Sequence, residues 1–246
     1  MDKAANFDAI EQILNNFNGE KTRKMKRKLK LFKIILSLIP IQLFSQNLVL
    51  NASFEIAKGC AVNIGDFDNN VSYWSSPTLG TTDFFNTCFK GNAGIPNNYN
   101  GTQYSKFGEK YAGIYLYSHK NYREYIQGQF SEPLEKGKKY KVSFYISFAE
   151  KSDFAIKNIG FLLTEDKIKK GISRELSKKQ LKKYNIKKFS FYNIENDRFY
   201  DDKNNWTLIT KEFVATGNEK FITIGNFKKN SATDKILVSN KNELDM

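Results

Sequence analysis

Between Tyr140 and Phe148 the side chains alternate strictly. Tyr140, Val142, Phe144, Ile146 and Phe148 fall on one face, and Lys141, Ser143, Tyr145 and Ser147 on the other. A period of two belongs to a strand with one face in a core and one in water, whereas a helical face repeats about every 3.6 residues. The same reading predicts strands at residues 48–55, 111–117, 122–130, 158–163, 206–215 and 220–227. Residues 216–219, Thr-Gly-Asn-Glu, read as the turn of a hairpin joining the last two. A short helix is expected within residues 171–185, where Leu176 and Leu181 stand among lysines. Short strands spaced by turns, with no regular helices between them, predict an all-β fold of two packed sheets rather than a βαβ fold. With 21 Phe and 13 Tyr the chain has ample material for an aromatic core.

Residues 59–104 break this pattern. They are rich in Asn, Gly, Ser, Thr and Pro with single aromatics between them, and read as long loops. Loops on a rigid sandwich are where recognition usually resides. Tyr73, Trp74, Phe84, Phe85, Tyr99 and Tyr104 are the candidate aromatics, because a ring face can stack on the C–H face of a sugar. Asn97, Asn98, Gln103 and Arg123 are candidate partners for its hydroxyls. Trp74 and Phe84 fit a core-capping role equally well. Arg123 and Glu124 alternate, so one of them is expected to point inward and be structural.

The N-terminus reads as an export signal. Met25-Lys26-Arg27-Lys28 opens a basic segment, an apolar run follows from Ile34 to Ile41, and Ser45 supplies a small residue for cleavage. The apolar run is about half of the roughly 20 residues a membrane span requires, so no spanning helix is expected after cleavage. Residues 25–45 are thus expected to be a signal peptide, residues 1–24 a mis-called extension, and residues 46–246 one domain. Phe7, Ile10, Ile13, Leu14 and Phe17 also recur at helical spacing, which fits an amphipathic helix. Export predicts that Cys60 and Cys88 are paired, since an oxidising compartment favours disulfides. The protein is then expected in the periplasm, at the outer membrane or outside the cell.

The net charge of +13 falls to +8 without residues 1–45, and much of what remains lies between Lys167 and Lys188. That run reads as a solvated connection. An anionic-surface or nucleic-acid patch is the sharper alternative, disfavoured by the lack of interleaved aromatics. Catalytic machinery is not apparent. No carboxylate pair stands out, His119 is the single His and sits in a turn-like stretch, and no phosphate loop or metal-spaced His/Cys cluster occurs.

Three runs resemble carbohydrate-binding modules with a galactose-binding-like jelly roll. They are residues 47–55 (Asn-Leu-Val-Leu-Asn-Ala-Ser-Phe-Glu), residues 125–144 with their Gly-containing turn into Tyr140-Lys141-Val142-Ser143-Phe144, and Trp206-Thr207-Leu208 with residues 213–217. The resemblance implies a jelly-roll β-sandwich over residues 46–246 and a non-catalytic, glycan-binding function. It also implies a structural calcium near Glu55, although the acidic partner expected on the last strand is missing. A narrower resemblance is to the N-terminal region of bacterial OmpA-type outer-membrane proteins, carried by Asp83-Phe84-Phe85-Asn86-Thr87-Cys88, Gly94-Ile95-Pro96-Asn97-Asn98, Tyr122-Arg123-Glu124-Tyr125-Ile126 and Ile224-Gly225-Asn226-Phe227. It implies an envelope protein, with a structural or adhesion domain that binds no sugar as the alternative. The partners implied are glycans or envelope proteins, not nucleic acid. The usual apolar closing strand is reduced here to Ile236-Leu237-Val238, so either that weak run closes the sandwich or its C-terminal strand is missing.

Overall fold

A computed structural model describes residues 21–28, 30 and 46–238. The chain divides into two compact units, Met1–Gln46 and Asn47–Met246. In the first, residues 21–28 and 30 are helical. Most of the residues expected to form the signal peptide lie outside the described residues. No helix among the described residues is long and apolar enough to cross a membrane.

The second unit is all-β and antiparallel. Numbered in chain order, strands β1 (Trp74–Ser75), β6 (Ile126–Gln129), β12 (Phe221–Gly225), β9 (Asn158–Thr164) and β10 (Phe189–Glu195) form one five-stranded sheet in the order β1-β6-β12-β9-β10. Four two-stranded pairings accompany it: β7 (Lys139–Ile146) with β11 (Thr207–Val214), β2 (Asp83–Asn86) with β5 (Lys110–Gly113), β3 (Asn97–Asn98) with β4 (Gly101–Thr102), and β8 (Phe154–Ile156) with β13 (Lys235–Leu237).

The alternation of β7 is realised as expected. Tyr140, Val142, Phe144 and Ile146 pack into a core with Ile209 and Phe213 of β11, while Lys139, Lys141 and Ser143 are exposed. The five-stranded sheet closes that core from the other side with Ile159, Phe161, Leu163, Ile222 and Ile224. Each such side chain, fully buried, contributes about 1.5–3 kcal/mol. β9 reads apolar almost throughout because both its faces are covered. Leu162, pointing the opposite way, packs with Tyr125, Ile168, Leu176, Leu181 and Phe227. The lysine-rich run is therefore more than a solvated connection. Its helix, Lys178–Lys183, and its buried Ile168, Leu176 and Leu181 form the cover of the sheet's second face.

Three sequence expectations are corrected. Residues 48–55 do not form a full strand. Val49 bridges Phe130, and the chain then turns at Asn51 (φ 52°), whose side chain bonds the amide and carbonyl of Ile56 and the carbonyl of Ser72. Asn tolerates this conformation, and its amide substitutes for a strand ladder. The turn tips Phe54 against Phe67 and Trp74. Residues 216–219 are not a hairpin turn, because β11 pairs with β7 while β12 pairs with β6 and β9. The turn crosses between sheets, and the Glu219 carboxylate holds it by accepting the amides of Thr216 and Gly217 and the Thr216 hydroxyl. Alternation specifies which face is buried, not which neighbour is paired. Residues 59–104 are not merely loops. They hold β1 to β4, the helix Phe67–Asn70 and a small core of Ala61, Phe67, Val71, Trp74, Phe84 and Ala93. The Cys60–Cys88 disulfide, formed as expected, ties this region together with 6.0 Å between its Cα atoms.

Candidate functional site

Four of the ten sequence candidates lie in the interior. Trp74 is 7% exposed and donates Nε1–H to the carbonyls of Leu50 and Asn51. Its ring covers Gly128 across the register, where a Cβ would stand 2.8 Å from the indole. Phe84 is fully buried beside it. Phe85 is buried against Tyr111, ring centroids 5.0 Å apart. Arg123 is fully buried. Its guanidinium donates to the carbonyls of Tyr122 (2.8 Å) and Lys228 (3.1 Å) and lies over the Tyr117 ring. These four side chains hold the fold. Tyr73 is exposed, but its carbonyl accepts the Gln129 amide, which places it at the edge of the five-stranded sheet.

The other five, Asn97, Asn98, Tyr99, Gln103 and Tyr104, converge on the β3–β4 hairpin and its exit. The hairpin is fastened on every side. Asn98 Nδ2 donates to the Tyr111 hydroxyl at 2.9 Å, and Asn100 Nδ2 to Asp83 Oδ2 at 3.2 Å. The Thr102 amide donates to Glu150 Oε2 at 2.9 Å, and Ser147 Oγ to Gln103 Oε1 at 2.8 Å. Trp206 Nε1 donates to the Tyr104 carbonyl at 2.9 Å. Lys151 Nζ donates to the Tyr99 carbonyl and lies 5.4 Å from the Tyr99 ring centre. Gly101 is required at the tip. Its φ is 142°, and a Cβ would collide with the Glu150 carboxylate.

One flank of the hairpin is polar. Asp83 is 5% exposed and accepts the Gly65 amide on Oδ1, with Asn100 on Oδ2. Glu124 is 1% exposed and accepts Thr81 Oγ1 (3.1 Å) and the Tyr122 hydroxyl (2.6 Å) on Oε1, with the Tyr115 amide on Oε2. Burial pushes Asp83 up to about 6, against the pull of its Gly65 and Asn100 bonds. Burial likewise pushes Glu124 up to about 7, with the Asp83 charge adding to the rise. Burial first, then the same two carboxylates, raises the Tyr115 hydroxyl. Tyr115 itself is 42% exposed, and its hydroxyl donates to Asn100 Oδ1 at 3.5 Å.

The opposite flank is aromatic. Phe107 lies edge-on to Tyr145, centroids 5.5 Å apart, and Lys106 Nζ is 4.9 Å from the Tyr145 ring centre. Tyr145 stands on the outward face of β7, directly across from Leu208 of β11. Trp206 packs edge-on against Tyr111, which the hairpin also holds. Tyr104, Phe107 and Tyr99 are 70%, 60% and 47% exposed, Tyr99 on the hairpin and the other two in the segment that follows it.

Sequence reasoning missed Asp83, Tyr115, Phe107, Tyr145 and Trp206 as members of this group. Tyr145 carried a usable signal, being an aromatic on the polar face of the clearest strand. Asp83 and Glu124 are brought together only by the fold. Glu55, expected near a calcium ion, instead accepts the Glu109 amide (2.9 Å) and Lys110 Nζ (3.0 Å) on its two oxygens. N–H donors facing the carboxylate are the wrong polarity for an oxygen cage around a cation. Among the described residues no three His, Cys, Asp or Glu side chains come together as a metal set. Comparison with protein families, with characterised proteins and with solved structures gives no match to this chain.

Proposed function

We propose that this is a non-catalytic glycan-binding domain of an exported envelope protein, a jelly-roll sandwich that receives sugar on the aromatic flank of the β3–β4 hairpin. The observation that carries the reading is the set of exposed rings, Tyr99 on the hairpin and Tyr104 and Phe107 in the segment after it, with the hairpin and its exit tied down by at least five hydrogen bonds. A fixed ring face offers a sugar its stacking surface with little ordering cost on binding. Asn97, Asn100 and Tyr115 stand at the same hairpin to meet hydroxyls. The buried carboxylates act through Asn100, Tyr115 and Tyr122 rather than on a ligand directly, since each has its oxygens engaged by protein donors. The disulfide supports export, because such bonds persist in oxidising compartments.

The test is a glycan array with the full chain, followed by titration against any sugar that binds. Tyr104→Ala and Phe107→Ala should each weaken binding by roughly tenfold, the loss of one stacked ring. Binding should also shift Trp206 fluorescence, because its indole is bonded to Tyr104. An empty array, with envelope proteins captured through the same rings, would replace this reading by an adhesion domain.

A further inference from the structure

A second surface lies on the cover of the five-stranded sheet. Residues 167–188 contain one acid, Glu175, which is fully buried with Arg174 Nε on its Oε2 at 3.1 Å. Every other charge of the run is a lysine. Lys178, Lys179, Lys182 and Lys183 of the helix are exposed, as are Lys167, Lys169 and Lys187 around it. Lys178 and Lys182, and likewise Lys179 and Lys183, are one helical turn apart, where like charges repel and cost about 0.2–0.5 kcal/mol a pair. Within residues 167–188 no exposed acid offsets this; among the described residues Lys188 alone of these lysines is ion-paired, with Glu165 at 2.7 Å.

The base under these lysines is rigid. Ile168, Leu176 and Leu181 are buried in the core beneath. Gln127 of β6 accepts the Ile168 amide (2.8 Å) and donates to its carbonyl (2.9 Å). The Leu176 amide donates to the Tyr125 hydroxyl, and Arg123 N–H to the Ser173 carbonyl. A cationic face on a fixed frame loses little backbone freedom when it binds, so charge attraction converts to affinity.

We infer that this face binds a linear anionic polysaccharide, one carrying carboxylate or sulfate groups along its length. The chemistry separates it from other polyanions. The segment's apolar side chains are buried or half-buried, so nothing is available to anchor in a bilayer. Tyr184 is half-buried and lies beneath Lys170 and Lys183, leaving no free ring for base stacking. Arg174, the only arginine, is held by Glu175, and lysines act as point charges without bidentate base or phosphate readout. The surface is distinct from the β3–β4 hairpin and the inference does not depend on sugar binding there.

The experiment measures binding of the full chain to polygalacturonate and heparin by anisotropy, between about 50 and 300 mM salt. Single-stranded DNA and vesicles of phosphatidylcholine with phosphatidylglycerol are the comparison probes. The variant Lys178→Gln/Lys179→Gln/Lys182→Gln/Lys183→Gln should lose roughly tenfold or more in polysaccharide affinity and show a shallower salt dependence. A second variant, Lys167→Gln/Lys169→Gln/Lys187→Gln, keeps the helix intact and should lose affinity in the same direction. A control with equal charge change elsewhere, Lys136→Gln/Lys139→Gln/Lys141→Gln/Lys211→Gln, should bind within about twofold of the wild type. Equal losses in control and helix variants would overturn the inference by showing a net-charge effect, and so would tighter binding to DNA or vesicles than to either polysaccharide.

Discussion

Asp83 and Glu124 are acids held where a charge is poorly solvated, and that has a consequence for stability. Their ordinary values of 3.8 and 4.5 become about 6 and about 7 in the folded chain, chiefly through burial. Between those limits the folded state holds protons that the unfolded chain has released, so folding stability falls as pH rises through this window. The ceiling is about 1.4 kcal/mol per pH unit for each group. The melting temperature is expected to rise as pH is lowered from neutral to about 5. Asp83→Asn/Glu124→Gln should flatten that profile, because neither replacement titrates. Ion-paired Glu165 and Glu195 are lowered by their Lys188 and Lys228 partners and work in the opposite direction, but they are exposed and screened. A double variant with the wild-type pH profile would rule out these two groups as its source.

At the scale of elements, four of the longer strands were legible and the crossings between sheets were not. β7, β9, β11 and β12 fall within a residue or two of the runs read from alternation. Pairing partners escaped that reading, because β11 and β12 look like a hairpin in sequence and belong to different sheets in space. The β3–β4 hairpin shows the same division. Its Asn-rich tip announces a turn, yet its placement depends on Glu150, Asp83, Tyr111 and Trp206, all distant in sequence. Gly101→Ala should therefore cost roughly 1–3 kcal/mol, through strain at φ 142° and loss of the Thr102–Glu150 bond. In a Glu150→Ala background the same substitution should cost less, since the clash is gone and only backbone strain remains. An unchanged melting temperature for Gly101→Ala would contradict the described tip.

For the whole molecule, one covalent bond fastens the most irregular region. Cys60 and Cys88 are 28 residues apart, and a loop of that size restricts the unfolded chain by about 3–4 kcal/mol. Reduction, or Cys60→Ala/Cys88→Ala, should lower the melting temperature by roughly 7–14 °C in a domain of this size. Calorimetry with and without reductant checks this, and equal transitions would show that the small core around Trp74 and Phe84 suffices. The sequence by itself determined the all-β class, the buried face of β7 and the cysteine pairing, because alternation, turn residues and thiol count are local or countable properties. Tertiary structure alone decided that Trp74, Phe84 and Arg123 are interior, that Asp83 meets Glu124, and that the lysine-rich run roofs a sheet. Burial and charge proximity are set by which distant segments share a wall, and a linear pattern carries no record of that.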